Sequence, residues 1–244
     1  MLRNRLITVL TFYNGVLFRT KLFKPDYRYT TNFVDMWSVD EIVIIDISEI
    51  KFKKTFINVI NNFAKSCFVP LTVGGGITKS DDAKKFLDVG ADKIILNSGA
   101  IKKPKLINKI AKSYGSQCVI VGLDFKKIDN KYRLCSNSGK KIEKIDPIKW
   151  AVKLEKLGAG EIFLNSIDRD GSLSGYDLDF LKIISPSIGI PIIIGGGAGS
   201  WKHFLDGIQN GADAISTSNI YHFTEQSIKN AKSYLHKNNV LIRI

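Results

Sequence analysis

Cysteine and histidine are scarce: three of each in 244 residues, namely Cys67, Cys118 and Cys135, and His203, His222 and His236. Neither set shows the close pairing of metal ligands or a disulfide framework, so no metal site is expected. An odd, sparse cysteine count suits a reducing cytoplasm. Cys118 lies in an apolar run and is expected in the core. No apolar run reaches the ~20 residues that cross a bilayer. The opening Met1-Leu2-Arg3-Asn4-Arg5 leads directly into a strand pattern, so neither a signal peptide nor membrane insertion is expected. Acidic residues are also short, 23 against 36 Lys and Arg, for a net charge of +13. Such a surplus suits nucleic acid or a small anionic substrate. The lysines are spread along presumed helix surfaces and loops, without an aromatic-interleaved basic stripe, which favours the small anion over nucleic acid.

What the chain does have is a repeat. Val73-Gly74-Gly75-Gly76-Ile77 is followed by Gly90-Ala91-Asp92-Lys93 and then Asn97-Ser98. Ile194-Gly195-Gly196-Gly197-Ala198 is followed by Gly211-Ala212-Asp213-Ala214 and then Ser218-Asn219. The spacing from the triplet to Gly-Ala-Asp is the same in both copies, and the copies lie almost half a chain apart. Each triplet follows a short apolar run that reads as a buried strand. Glycine permits a sharp turn and close approach of backbone N–H groups to a ligand. The start of a helix follows, where unpaired N–H groups favour an anion. The blander alternative is a tight strand-to-helix turn with no ligand.

Along the chain, strands are expected at Arg5–Leu10, Glu41–Asp46, Pro70–Val73, Lys93–Leu96, Cys118–Leu123, Glu161–Asn165, Pro191–Ile194 and Ala214–Thr217. Helices are expected at Thr31–Trp37, Phe52–Ser66, Ser80–Asp88, from Pro104 to Tyr114, Pro147–Leu157, Asp177–Ile184, from Ser200, and Glu225–His236. The segment 11–30, with Arg19, Lys21, Lys24 and Arg28, reads as a long loop whose cations could close over a phosphate. The basic segment 125–144 reads as an excursion with a hairpin near Tyr132–Cys135. Eight strands alternating with helices are the pattern of a (β/α)₈ barrel, here built from two half-barrel repeats and filling 1–244 as one domain.

Polar residues at strand C-terminal ends are site candidates in such a barrel. Two phosphate nests across one mouth imply a substrate phosphorylated at both ends, with the reacting part between them. The fifth strand ends in Asp124, a carboxylate suited to acid–base work or to capping its own loop. Its counterpart on the first strand is Thr11.

The chain resembles the cyclase subunit of imidazole glycerol phosphate synthase over nearly its whole length. The resemblance rests on the Gly triplet with Gly90-Ala91-Asp92-Lys93, on Ser138-Gly139-Lys140-Lys141, on Ser166-Ile167-Asp168-Arg169-Asp170-Gly171, on Ser174-Gly175-Tyr176-Asp177 and on Gly196-Gly197-Ala198-Gly199. It implies a barrel that takes ammonia from a separate glutaminase docked on the N-terminal face. That ammonia serves to cleave and cyclise a bisphosphorylated ribulosyl nucleotide, and no cofactor is implied. It assigns phosphate binding to Gly75, Gly76, Asn97 and Ser98 on one side and to Asp170, Gly171, Gly196, Gly197, Ser218 and Asn219 on the other, with Arg19 as the loop cation. It assigns an ammonia gate to Arg5, Glu41, Lys93 and Glu161, a ring equally suited to a structural salt-bridge plug. It assigns catalysis to two aspartates. One is Asp124; the other falls on Thr11, in a run Thr11-Phe12-Tyr13-Asn14-Gly15 where the family has Asp-Val-Lys-Asp-Gly. A hydroxyl cannot shuttle protons as a carboxylate does near neutral pH. The departure resembles a divergent branch that supplies ammonia to a sugar amidotransferase in surface-polysaccharide synthesis.

Overall fold

The computed structural model describes residues 3–28, 39–49, 53–218 and 228–243. The helix expected at Thr31–Trp37, the start of the one expected at Glu225–His236, and Asn219 lie outside them. In chain order the elements are β1 (Arg5–Tyr13), β2 (Val16–Lys21), β3 (Lys24–Arg28), β4 (Glu41–Asp46), α1 (Lys53–Ser66), β5 (Leu71–Gly74), α2 (Ser80–Asp88), β6 (Lys93–Leu96), α3 (Ser98–Lys102) and α4 (Lys105–Tyr114). There follow β7 (Val119–Ile128), β8 (Lys131–Ser136), β9 (Lys141–Ile142), α5 (Pro147–Lys156), β10 (Glu161–Ser166), α6 (Leu178–Ile184), β11 (Ile192–Gly195), α7 (Trp201–Gln209), β12 (Ala214–Thr217) and α8 (Ile228–Lys237).

Eight of the strands form a closed parallel barrel, in the order β1-β4-β5-β6-β7-β10-β11-β12 and back to β1. Because strand side chains alternate, every barrel strand feeds two cores. Ile7, Val43, Ile95, Ile120, Phe163, Ile193 and Ala214 fill the interior. Leu6, Leu10, Phe12, Ile42, Ile44, Val121 and Leu164 point outward under the helices. Helix α1 meets them with buried Phe56, Ile60 and Phe63 on one face. Asp146, Asp177 and Ser200 each accept a backbone N–H three residues on and so start α5, α6 and α7.

The Gly-Ala-Asp half of the repeat is scaffold. The Asp92 carboxylate accepts Leu71 N at 2.8 Å, and Asp213 accepts Ile192 N at 2.8 Å. Their own amides return bonds to the carbonyls of Leu71 and Ile192 at 2.8 and 2.9 Å. Gly90 and Gly211 turn the chain beforehand with φ of +109° and +106°. Each motif thus closes the N-terminal end of a strand, far from the mouth.

Of the segment 11–30, the described part, 11–28, is not a loop. β1 continues to Tyr13, and β2 and β3 fold back as antiparallel strands. Asn14 and Gly15, with φ of +46° and +91°, form a two-residue hairpin turn, a signal carried by the Asn-Gly pair and flanked by β-formers. The hairpin near Tyr132–Cys135 is present as β7–β8–β9. Cys118 is only half-buried; Cys135 is the buried cysteine, because Cys118 precedes β7 at the barrel bottom rather than lying within the strand.

Candidate active site

At the N-terminal end of the barrel four charged side chains close a ring. Arg5 reaches Glu41 at 2.9 Å and Glu161 at 2.5 Å, and Lys93 reaches the same two carboxylates at 2.9 and 2.8 Å. Thr72 adds a hydroxyl bond to Glu41 at 3.0 Å. Charges alternate around the ring, so each ion has two partners of opposite sign, which is what burial at this depth requires. For Glu161, burial alone would raise the pKa, but its bonds to Arg5 and the nearby Lys93 hold it below the usual range. Arg5 is pushed above its normal value because the two carboxylates outweigh desolvation.

At the opposite end, Asp124 sits on the inward face of β7, buried and in register with Asn165. Its carboxylate accepts the side-chain amides of Asn97 at 2.8 Å and Asn165 at 3.1 Å. Burial nevertheless raises its pKa to about 6, with the Asn165 bond opposing and the charge of Asp170 adding to the rise. A carboxyl group that titrates at about 6 is mostly ionised at neutral pH and holds a proton more readily than an ordinary aspartate, which suits proton transfer.

Asp124 lines a cavity of about 580 Å³ together with Gly75, Gly76, Asn97 and Ser98. These five predicted residues are brought together. Gly75 and Gly76 have φ of +114° and +68°. A Cβ on Gly75 would stand 2.5 Å from the Asp46 carbonyl oxygen, so only glycine fits there. The anion donors differ from expectation, however. The first N–H groups before α2, those of Thr78 and Lys79, are already taken by the Asp82 carboxylate at 3.0 and 3.2 Å. The Asn97 amide is spent on Asp124 and on the Gly122 carbonyl, so Asn97 orients the carboxylate. Ser98 accepts Asn137 N at 2.9 Å, which ties the β8–β9 turn over the cavity.

The other predicted residues among those described lie outside this cavity. Thr11 is buried, and its hydroxyl donates to the Phe18 carbonyl inside the β1–β2 hairpin. Arg19 pairs with Asp26 at 2.8 Å on that hairpin; it is a strand residue, not a mobile loop cation. Asp170 accepts Phe23 N at 2.9 Å, and its carbonyl accepts Leu22 N at 3.0 Å. It therefore clamps the β2–β3 turn, whose Phe23 lines the cavity. Burial, the largest influence, raises the Asp170 pKa. Gly171 packs on the same turn, where a Cβ would meet the Thr20 carbonyl at 2.8 Å. Gly196 and Gly197, with φ of +85° and +106°, repeat the strained geometry of the first triplet. Gly197 is covered by its own chain: its carbonyl accepts Gly175 N at 2.7 Å. Ser218 follows β12, half-buried.

Sequence reasoning missed Asn165, Lys102, Lys140 and Phe23. Asn165 was findable, since it stands two residues beyond the inward Phe163 on β10. Phe23 was not, since its place depends on the hairpin. Among the described residues no cluster of His, Cys, Asp and Glu could hold a metal, and no helix is long and apolar enough to cross a membrane.

The family model described as "Histidine biosynthesis protein" matches residues 8–227. An imidazole glycerol phosphate synthase subunit HisF of Chlorobium phaeovibrioides is 44% identical over 207 residues, covering 84% of this chain and 82% of its own length. The subunit of the same name from Clostridium botulinum is 45% identical over 216 residues, 87% of this chain and 85% of its own. That from Campylobacter concisus is 45% identical over 206 residues, 84% and 82% respectively. With a closed eight-stranded barrel, a buried carboxylate at its mouth and a match over most of its length, the chain belongs to the histidine biosynthesis protein family.

Proposed function

We propose that the chain is a cyclase-type subunit of an imidazole glycerol phosphate synthase complex, receiving ammonia through the barrel from a glutaminase docked at the N-terminal face. The observation that carries this is the presence of an ionic ring below and a titratable carboxylate above, at the two ends of one apolar barrel interior. Ring and carboxylate are separated by apolar side chains, a medium that favours neutral ammonia over ammonium. Lys93, a point charge on a flexible stem, is the member of the ring that swings aside. Arg5 is held by two bonds to Glu161 and one to Glu41. Asp124 supplies acid–base catalysis at the mouth, where the glycine loops hold a phosphorylated substrate.

A second reading is favoured by Thr11. The hydroxyl there is used within the hairpin, so the family's two-carboxylate chemistry lacks one member. In that reading the barrel delivers ammonia for sugar amidation in surface-polysaccharide synthesis, with a sugar amidotransferase as the acceptor. Ammonium salt with the bisphosphorylated ribulosyl nucleotide separates the two. Release of imidazole glycerol phosphate and aminoimidazole carboxamide ribonucleotide by the natural chain supports the cyclase. No turnover by the natural chain, together with turnover by Thr11→Asp, supports the delivery role.

A further inference from the structure

The 580 Å³ cavity is crossed at its rim by an ion pair that neither the ring nor the acid–base site requires. Lys140, in the turn between β8 and β9, bonds through Nζ to Oε1 of Glu49, in the segment after β4. Both residues line the cavity, as do Lys102, Ser98 and Gly76. Their side chains are more than half exposed, so the pair contributes little to fold stability. Its chemistry is informative in another way. Lys140 draws the Glu49 pKa down, so the carboxylate stays ionised and occupies a position on the ammonium that any other anion in the cavity would seek. The Lys140 turn is anchored independently by Asn137 N on Ser98 Oγ, so the turn stays at the cavity, with the ammonium in reach of it, when Glu49 lets go.

We propose that Lys140 is a phosphate-binding residue of the cavity and that Glu49 is a built-in competitor for it, displaced by the phosphate group of the substrate. The proposal rests on the reading of the cavity as a phosphate-ester site. It adds that affinity there is set by an exchange of partners on Lys140, with Lys102 as a second cation on the same wall. A dianionic phosphate offers more charge and three acceptor oxygens, and so displaces a monoanionic carboxylate.

The test is calorimetric titration of inorganic phosphate into the full chain, in phosphate-free buffer, for the natural protein, Glu49→Gln, Lys140→Ala and the double variant. Glu49→Gln is expected to tighten binding about 3-fold and Lys140→Ala to weaken it about 5-fold, in line with the modest energy of exposed pairs. In the Lys140→Ala background the gain from Glu49→Gln disappears. Glu143→Gln, whose carboxylate binds Ser136 and Lys141 elsewhere on the hairpin, leaves affinity unchanged. An unchanged or weaker affinity in Glu49→Gln overturns the proposal. So does a gain that persists in full without Lys140, which is plain long-range repulsion, and so does a natural chain that binds no phosphate. Each variant is checked by its melting temperature. Because binding is read without turnover, a silent ammonium assay beside the expected cycle counts against the cyclase alone.

Discussion

The two halves of the barrel share a backbone plan and differ in what they load onto it. Asp92 and Asp213 make the same strand-start bond at the same distance. Gly75 and Gly196 press equally close on the end of a neighbouring strand, where an added Cβ would meet Asp46 O at 2.5 Å and Ser166 O at 2.4 Å. The ring breaks the symmetry. Glu41 and Glu161 correspond, but the counterpart of Lys93 is Ala214. In register beside Ala214 stands Arg5, which supplies the second cation of the ring. The mouth breaks it again. Asp124 is held by two amides at the edge of a cavity, while Thr11 is sealed into a hairpin. Equivalence survives where it builds strands and turns, and fails where charge must be placed on one axis.

The largest expected effect breaks the mouth side of this comparison. Asp124→Asn should lower ammonium-dependent turnover by about 10²–10⁴-fold. In the natural chain turnover should climb as pH rises through about 6, as the carboxylate ionises to its base form. The same group has a stability signature. Its folded pKa is raised, so its contribution is full below the unfolded value and is lost as pH rises through about 6. Asp124→Asn should remove that decline, as denaturant titrations at pH 4 and pH 7 would reveal. A turnover unaffected by the substitution would sink the role given to Asp124.

The next effect concerns the ring. Lys93→Met leaves Glu41 and Glu161 with Arg5 as their one cation and should cost about 3 kcal/mol near neutral pH, measured by denaturant unfolding. It should also uncouple glutamine hydrolysis from ammonia transfer in the assembled complex. Normal transfer in Lys93→Met would remove the gate and leave a structural plug.

The smallest effect sharpens what the halves share. Asp92→Asn and Asp213→Asn each weaken one strand-start bond and should cost about 1 kcal/mol apiece, with no change in phosphate affinity. Unequal costs, or a loss of binding in either, would show that the Gly-Ala-Asp motif does more than close strands.

The alternation of apolar runs with helical patterns made the barrel legible, because burial on both faces leaves a strand mostly apolar between its ends. The repeat and the resemblance likewise pointed to Asp124 and to the ring members. Less legible was anything set by the hairpins. Asn14-Gly15 is a local turn signal, but that β2–β3 lies against Asp170 and sends Phe23 into the cavity depends on contacts between residues almost 150 positions apart. The partner of a polar side chain was equally hidden. Asn97 could have faced a phosphate; the register of β6 and β7 turned it to Asp124.

The sequence by itself determined the eightfold alternation, the two glycine loops and the hydroxyl of Thr11 at a position where Asp124 has its counterpart, since each follows from local periodicity, backbone freedom or residue identity. Only the tertiary structure decided that Arg5 and Lys93 share two carboxylates, that Asp124 is buried enough to hold its proton to about pH 6, and that Thr11 is turned into a hairpin. Charge pairing and desolvation depend on what lies within a few ångströms, and closure of the barrel sets those neighbours.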